Sequence, residues 1–159
     1  QENGYRPAVI TQPMYNLLAR GIEQEYLPMA NQFGVSTIVY NPLAGGMLTG
    51  KQKEGAPLPG TRFDNNQMYL DRYWHPAYFQ AVEQLSTVAA LEGRNLISFS
   101  LNWLLHHTPI NAMILGASRV EQLQENLSYL SAGPLSESAV RACDMVWENL
   151  RGVTPRYNR

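Results

Sequence analysis

Ser36-Thr37-Ile38-Val39-Tyr40, followed at once by Asn41-Pro42-Leu43-Ala44-Gly45-Gly46-Met47-Leu48-Thr49-Gly50-Lys51, decides how this chain is read. The first five residues form a β-branched run ending on an aromatic ring, which suits a strand. Proline and paired glycines then break the pattern. Upstream, Ala8-Val9-Ile10-Thr11-Gln12 is a short buried strand, stopped by Pro13. Downstream, Ala112-Met113-Ile114-Leu115-Gly116 is a third.

Helical spacing fills most of the remainder. Ile22, Tyr26, Met29, Ala30 and Phe33 share one face, with Gly34 as the stop. Pro28 falls inside that helix and should weaken or kink it. From Asn41 to about His75 the chain reads as one long irregular stretch. A helix near Ala77 to Glu92 carries Phe79, Val82, Leu85 and Val88/Ala89 on one face. Another, from about Ser98, lines up Leu101, Leu104 and Leu105. A helix starting at Ser118 buries Val120, Leu123, Leu127 and Leu130, and a last one from about Ser136 buries Val140, Cys143, Trp147 and Leu150.

Strands alternating with helices imply parallel pairing through helical crossovers, hence an α/β fold. An eight-stranded α/β barrel needs about 250 residues. This chain has 159 and cannot close one alone. A small open α/β sheet also satisfies the pattern.

Composition narrows the function. Hydrophobic residues make up 45% and charged residues 16%, which is globular rather than disordered. A net charge of −1 offers no broad basic field for nucleic acid. No apolar run is long enough for a bilayer. The single Cys143 rules out an intrachain disulfide and a CxxC metal site, and suits a reducing, cytoplasmic setting. Gln1-Glu2-Asn3-Gly4 shows neither an initiator methionine nor a signal-peptide pattern, so the chain reads as a piece of something longer or a trimmed form.

Ligands of parallel α/β proteins gather at the C-terminal strand ends, here Gln12, Tyr40 and Gly116. Beyond Gly116, Ser118 and Glu121 have capping-box spacing. The same helix start offers free N–H groups, a positive dipole end and Arg119. Arg119, Gln122 and Asn126 fall on one polar stripe with Glu125 adjacent, so phosphate plus adenosine could lie along it. A capped helix that binds only water is the plainer alternative. Within Tyr40–Lys51, paired glycines permit close backbone approach, the tyrosine could stack on a planar ring, and Lys51 could meet a pyrophosphate. A turn with a solvated lysine is the plainer reading there, and the spacing is not that of a P-loop.

Other conspicuous residues have ordinary explanations. Arg20 and Glu23 read as a structural ion pair, and Trp103 and Trp147 as packing residues. His106 and His107 diverge on their helix and cannot share a metal. His75 reads as a solvent-exposed loop residue, and Trp74 as a candidate lid aromatic.

Taken together, Tyr40–Lys51, Gly116–Leu127, strand-end Gln12 in Thr11-Gln12-Pro13-Met14-Tyr15-Asn16-Leu17-Leu18, and Gly60-Thr61-Arg62-Phe63 resemble the aldo-keto reductases, in particular the branch related to potassium-channel beta subunits. The resemblance implies the C-terminal half of a (β/α)8 barrel, with residues 1–159 as one incomplete domain. It implies that Gln12 bonds the nicotinamide carboxamide and that Tyr40 stacks on the ring. Asn41, Pro42, Leu43, Ala44 and Gly45 would line the pyrophosphate, under Lys51 and Arg62. Gly116, Ser118, Arg119, Gln122, Glu125 and Asn126 would hold the 2'-phosphate and adenine, favouring NADP(H) over NAD(H). The implied reaction is hydride transfer to a small aldehyde or ketone. The family's catalytic tyrosine, lysine, aspartate and histidine belong to the first half of the barrel, so no catalytic residue is assigned here. A noncatalytic nucleotide-binding or regulatory module is the alternative. Three parallel strands would leave edges and a barrel interior open, which invites association.

Overall fold

The structure, a computed structural model, describes residue 4 and residues 6–152; Gln1–Asn3, read above for targeting signals, lie outside it. Three parallel strands form its sheet in the order β1 (Ile10–Thr11), β2 (Ser36–Val39), β3 (Ala112–Met113). Six α-helices accompany them among the described residues: α1 (Tyr26–Gln32), α2 (Gln67–Tyr73), α3 (Pro76–Leu91), α4 (Leu96–His107), α5 (Val120–Tyr129) and α6 (Glu137–Arg151). β2 lies centrally, pairing Ser36 and Thr37 with β1 and Ile38 and Val39 with β3. The family of folds implied by the sequence, a partial α/β barrel, is therefore what the chain forms.

The outer strands are shorter than expected. Pro13 has no N–H, so β1 ends early, yet pairing continues past it: Tyr40 N donates to the Pro13 carbonyl at 3.1 Å and Met14 bridges Tyr40. β1 is also not buried; Val9 and Ile10 are exposed because β1 is a sheet edge with nothing packed outside it among the described residues.

Helix ends follow local chemistry. Gly34 (φ 66°) closes α1 in a Schellman pattern, with Val35 N bonded to Ala30 O and Gly34 N to Asn31 O. Pro28 does not kink α1: the periodic face splits into a 3-10 turn at Gly21–Glu23 and a helix from Tyr26, leaving Pro28 in a first turn that needs no N–H. His75 is not idle either; Nδ1 accepts the Ala77 N–H and Pro76 takes the first helical position of α3. α4 starts at Leu96, earlier than Ser98, because Asn95 caps it by accepting the Ser98 N–H. Leu105 falls off the buried stripe and is exposed.

The core lies under the sheet and along α4, where Phe99, Leu101, Trp103 and Leu104 are buried with Tyr15, Leu17 and Leu85. α6 packs on α3 through Ala139, Cys143 and Val146, with Val140, Trp147 and Leu150 half-buried. α5 departs from expectation: Val120 is 66% and Leu127 51% exposed, and Leu123 is exposed too. It packs on α4, with Asn126 as its one buried residue, and nothing described covers the apolar face. The stretch after Tyr40 is not irregular throughout. It contains 3-10 turns at Ala44–Thr49 and α2, and its middle is tied down from within by buried Gln52 and Phe63. Trp74 is no free lid: its Nε1 donates to Gly55 O at 2.8 Å and its ring packs on Phe63 and Phe79.

The link from α5 to α6 is clasped by titratable groups. His107 Nε2 accepts the Leu135 N–H at 2.8 Å, Glu92 accepts from Ser136 N and Oγ, and Arg94 donates to Gly133 and Pro134 carbonyls. Burial first, then His106 and Arg94, holds His107 below its ordinary 6.5. The Ser136 bonds hold Glu92 below the usual carboxylate range. Both groups take up protons less readily when folded, so their stabilisation is complete above the unfolded pKa and is lost as pH falls, from about 6.5 downward for the histidine. His107→Gln can accept the same N–H without titrating. It is expected to flatten the decline in urea midpoint between about pH 7 and 5.5; a slope equal to wild type would remove His107 from the clasp.

Candidate functional site

Parallel pairing sets the C-terminal strand ends side by side. Met14 bridges Tyr40, Tyr15 N donates to Tyr40 O, and Ile114 N donates to Val39 O. Gln12, Tyr40 and the Gly116 turn thus share one edge of the sheet. Gln12 is exposed, and Tyr40 is 39% exposed, leaving a ring face available.

The loop after Tyr40 is built on four residues in the left-handed region: Asn41 (φ 62°), Ala44 (51°), Gly45 (69°) and Gly46 (106°). Asn41 holds it by accepting the Gly45 N–H on Oδ1 at 2.6 Å. Ala44 N and Gly46 N are bonded inside the loop, to Asn41 O and Leu43 O. These amides are already satisfied, so neutralising a pyrophosphate would fall to side-chain cations. Pro42 and Ala44 are buried and shape the loop from beneath, while Asn41, Leu43 and Gly45 keep some surface.

Arg62 reaches across. A methyl group on Gly116 would come within 3.2 Å of its Nη2, and its Nη1 donates to Tyr69 Oη at 3.1 Å. The long loop therefore spans from the Tyr40 turn to the end of β3. Lys51 lies exposed beyond Gly50, and its side chain makes no hydrogen bond or ion pair among the described residues.

At the third strand end, Gly116, Ala117, Ser118 and Arg119 are all exposed. The expected Ser118–Glu121 capping box does not form. Gln122 reaches back instead, its Oε1 accepting from Ser118 N at 3.1 Å and Oγ at 3.0 Å, which moves the helix start to Val120. Arg119 is the N-cap residue and has no acidic partner among the described residues. Glu125 accepts the Tyr129 hydroxyl, and Asn126 turns into the fold.

Three residues near this site were not singled out in the sequence. The Tyr69 ring stands against Gly45, where an added Cβ would meet it at 2.6 Å. Arg72 sits with its Cζ 5.7 Å from that ring centre and donates to Met14 Sδ at 3.8 Å. Tyr73 is buried, and burial pushes its phenol up to about 12. Their i, i+3, i+4 spacing in Tyr69-Leu70-Asp71-Arg72-Tyr73 was the available signal of a helix. Lys51, Arg62, Arg72 and Arg119 lack carboxylate partners among the described residues, so a chain of net charge −1 carries a surplus of positive charge around the strand ends. An exposed aromatic, a backbone loop permitting close approach and unpaired cations fit an anionic dinucleotide. No group of three potential metal ligands occurs among the described residues.

Comparison with known proteins agrees with this architecture. Residues 1–148 match the aldo/keto reductase family. Aflatoxin B1 aldehyde reductase member 2 of Mus musculus is 36% identical over all of this chain and 47% of its own length. A probable voltage-gated potassium channel subunit beta of Arabidopsis thaliana is 32% identical over 80% of this chain and 40% of its own. The solved glycerol dehydrogenase of Gluconobacter oxydans superposes with a TM-score of 0.71 over 94% of this chain and 45% of that one, at 24% identity, a likeness of fold. The chain thus spans about half the length of the curated relatives it matches. On sequence and architecture alike, this chain belongs to the aldo/keto reductase family.

Proposed function

We propose that these residues form the cofactor side of an NADPH-dependent oxidoreductase that reduces small aldehydes or ketones. The observation that carries this reading is the joint placement of exposed Tyr40, Arg62 against Gly116, and unpaired Arg119 at one edge of a parallel sheet. When bound, the dinucleotide supplies the hydride. Gln12 offers both a donor and an acceptor to a carboxamide, and Tyr40 offers a ring face that orients the nicotinamide. Lys51, Arg62 and Arg72 offset pyrophosphate charge around the Asn41–Gly45 loop. Gly116, Ser118, Arg119, Gln122 and Glu125 hold the adenosine end, with Arg119 selecting NADPH over NADH through the extra phosphate; Asn126, expected on the same polar stripe, is buried and does not take part.

Neither buried tyrosine, Tyr15 or Tyr73, suits the role of proton donor. Tyr15 donates to Glu23 Oε1 at 2.5 Å, and burial drives its phenol far up; Tyr73 has no exposed face. Residues outside this chain supply the acid, and the chain alone binds nucleotide without chemistry. That same lack of an acid favours the second reading, a noncatalytic nucleotide-binding module. We place the protein in the cytoplasm, a reducing setting that suits its single cysteine. Separately, no helix among the described residues is long and apolar enough to cross a membrane. Open edges at β1 and β3 and the bare face of α5 favour association of this half-barrel with a complementary one.

The chain alone, mixed with NADPH and a reactive aldehyde, is expected to bind nucleotide and leave its absorbance unchanged, while the full-length protein consumes it. Turnover by the chain alone would refute the missing acid. A full-length protein that binds NADPH yet spares every aldehyde and ketone offered would favour the noncatalytic module.

A further inference from the structure

Tyr40, the ring-bearing residue, is followed directly by Asn41, a non-glycine residue in the left-handed region (φ 62°). That backbone state is sterically unfavourable and persists where surrounding groups over-determine it. The surrounding groups are on view. Asn41 Nδ2 donates to the Tyr73 hydroxyl at 2.9 Å, and Asn16 Nδ2 donates to the Asn41 carbonyl at 3.0 Å and to the same hydroxyl at 3.3 Å. The Tyr73 oxygen accepts from both amides, and its own proton goes to Met14 Sδ at 3.3 Å. One phenol therefore joins the segment after β1, the turn after β2 and the end of α2.

We propose that Tyr73 is a positioning residue for the cofactor cradle, its buried hydroxyl fixing Asn41 so that the Tyr40–Gly45 turn is set before a ligand arrives. This inference rests on the NADPH reading above. Tyr73 is 1% exposed and has no surface with which to touch a ligand. It acts through Asn41, whose other amide atom holds Gly45 N at 2.6 Å, beside the spot where Tyr69 closes on Gly45. Without the hydroxyl, Asn41 Nδ2 and Asn16 Nδ2 lose their shared acceptor in a buried place, and the turn has less to keep it left-handed. Ligand binding must then supply the ordering that the protein now supplies in advance.

Tyr73→Phe keeps the ring and removes this one oxygen. In the full-length protein, NADPH binding measured by fluorescence titration is expected to weaken roughly tenfold. KM for NADPH should rise alongside, with kcat at saturating NADPH within about twofold of wild type. A merely structural tyrosine would do the reverse, lowering kcat through a smaller folded fraction at unchanged KM. In an Asn41→Gly background, where glycine accepts the backbone angle and the donor is gone, the same substitution should cost at most about twofold. Wild-type NADPH binding with an unaltered Tyr73→Phe affinity would overturn the positioning role and leave the cofactor reading standing. No binding of NADPH by wild type would overturn both. Should Tyr73→Phe fail to fold, Asn41→Gly alone reads the same bond from its other end, and wild-type affinity there would also overturn the role.

Discussion

Arg119→Glu is expected to weaken NADPH binding to the full-length protein about a hundredfold, roughly 2.7 kcal/mol, while NADH affinity moves by less than about threefold. The prediction follows from what surrounds this arginine. It stands exposed at the N-cap of α5 with no acidic partner among the described residues, so nothing in the chain competes for its charge. A phosphate there would meet the guanidinium and the positive end of a ten-residue helix together. A charge-assisted hydrogen bond contributes about 1.5–3 kcal/mol, and reversal adds repulsion to its loss. Arg119→Ala should cost about tenfold, since the helix terminus remains. NADH lacks the extra phosphate, which makes it the internal control. Titrating both dinucleotides against all three proteins decides the matter. Equal losses for NADH and NADPH would move Arg119 away from the 2'-phosphate, and no loss for either would remove it from the site.

The parts of this fold that could be read from sequence are those whose cause is local. Ser36–Tyr40 needed only β-branched composition, and Gly34 ends α1 because it adopts a positive φ within a Schellman bond pattern. The parallel order of strands followed from alternation, and it put Gln12, Tyr40 and Gly116 on one edge. What escaped depends on distant partners. α2 has seven residues and no side-chain cap, too little to declare itself; it is held by Tyr73 against Asn16 and Asn41 and by Phe63 packing on Tyr69 and Tyr73. Because α2 was read as irregular, Tyr69, Arg72 and Tyr73 were missed with it. Periodicity predicts that α5 buries Val120, Leu123 and Leu127, and all three are exposed, because a period cannot say whether anything covers the face it marks. At Ser118 two caps competed, Glu121 by motif and Gln122 in fact, and the choice moved the helix start.

The largest stability loss is expected from Trp103→Ala, about 3–5 kcal/mol, against a whole-domain stability of about 5–15 kcal/mol. Trp103 is 1% exposed, its ring centre lies 5.5 Å from that of Tyr15, and the Arg20 guanidinium sits 4.8 Å above it. Arg20 bonds Glu23 and Asp144, each at 2.7 Å, but its Nη1 has no hydrogen-bond partner. The indole face is therefore part of what makes a buried guanidinium tolerable. Removing it opens a cavity and strips that face at once. The ion pairs themselves contribute less, because the Asp144 side chain is 52% exposed and its charge is screened; Asp144→Asn should cost under about 1 kcal/mol. Urea midpoints of the two variants test the ranking, and similar losses would show that charge pairing, not packing, anchors this region. Tyr15 and Arg20 flank the segment that carries Asn16, so damage at Trp103 could reach the cradle. Direct contact with nucleotide is excluded by burial, however, so NADPH affinity per folded molecule should change far less in Trp103→Ala than in Arg119→Glu, and the reverse order would mean that the core and the candidate site are coupled more tightly than their separate contacts account for.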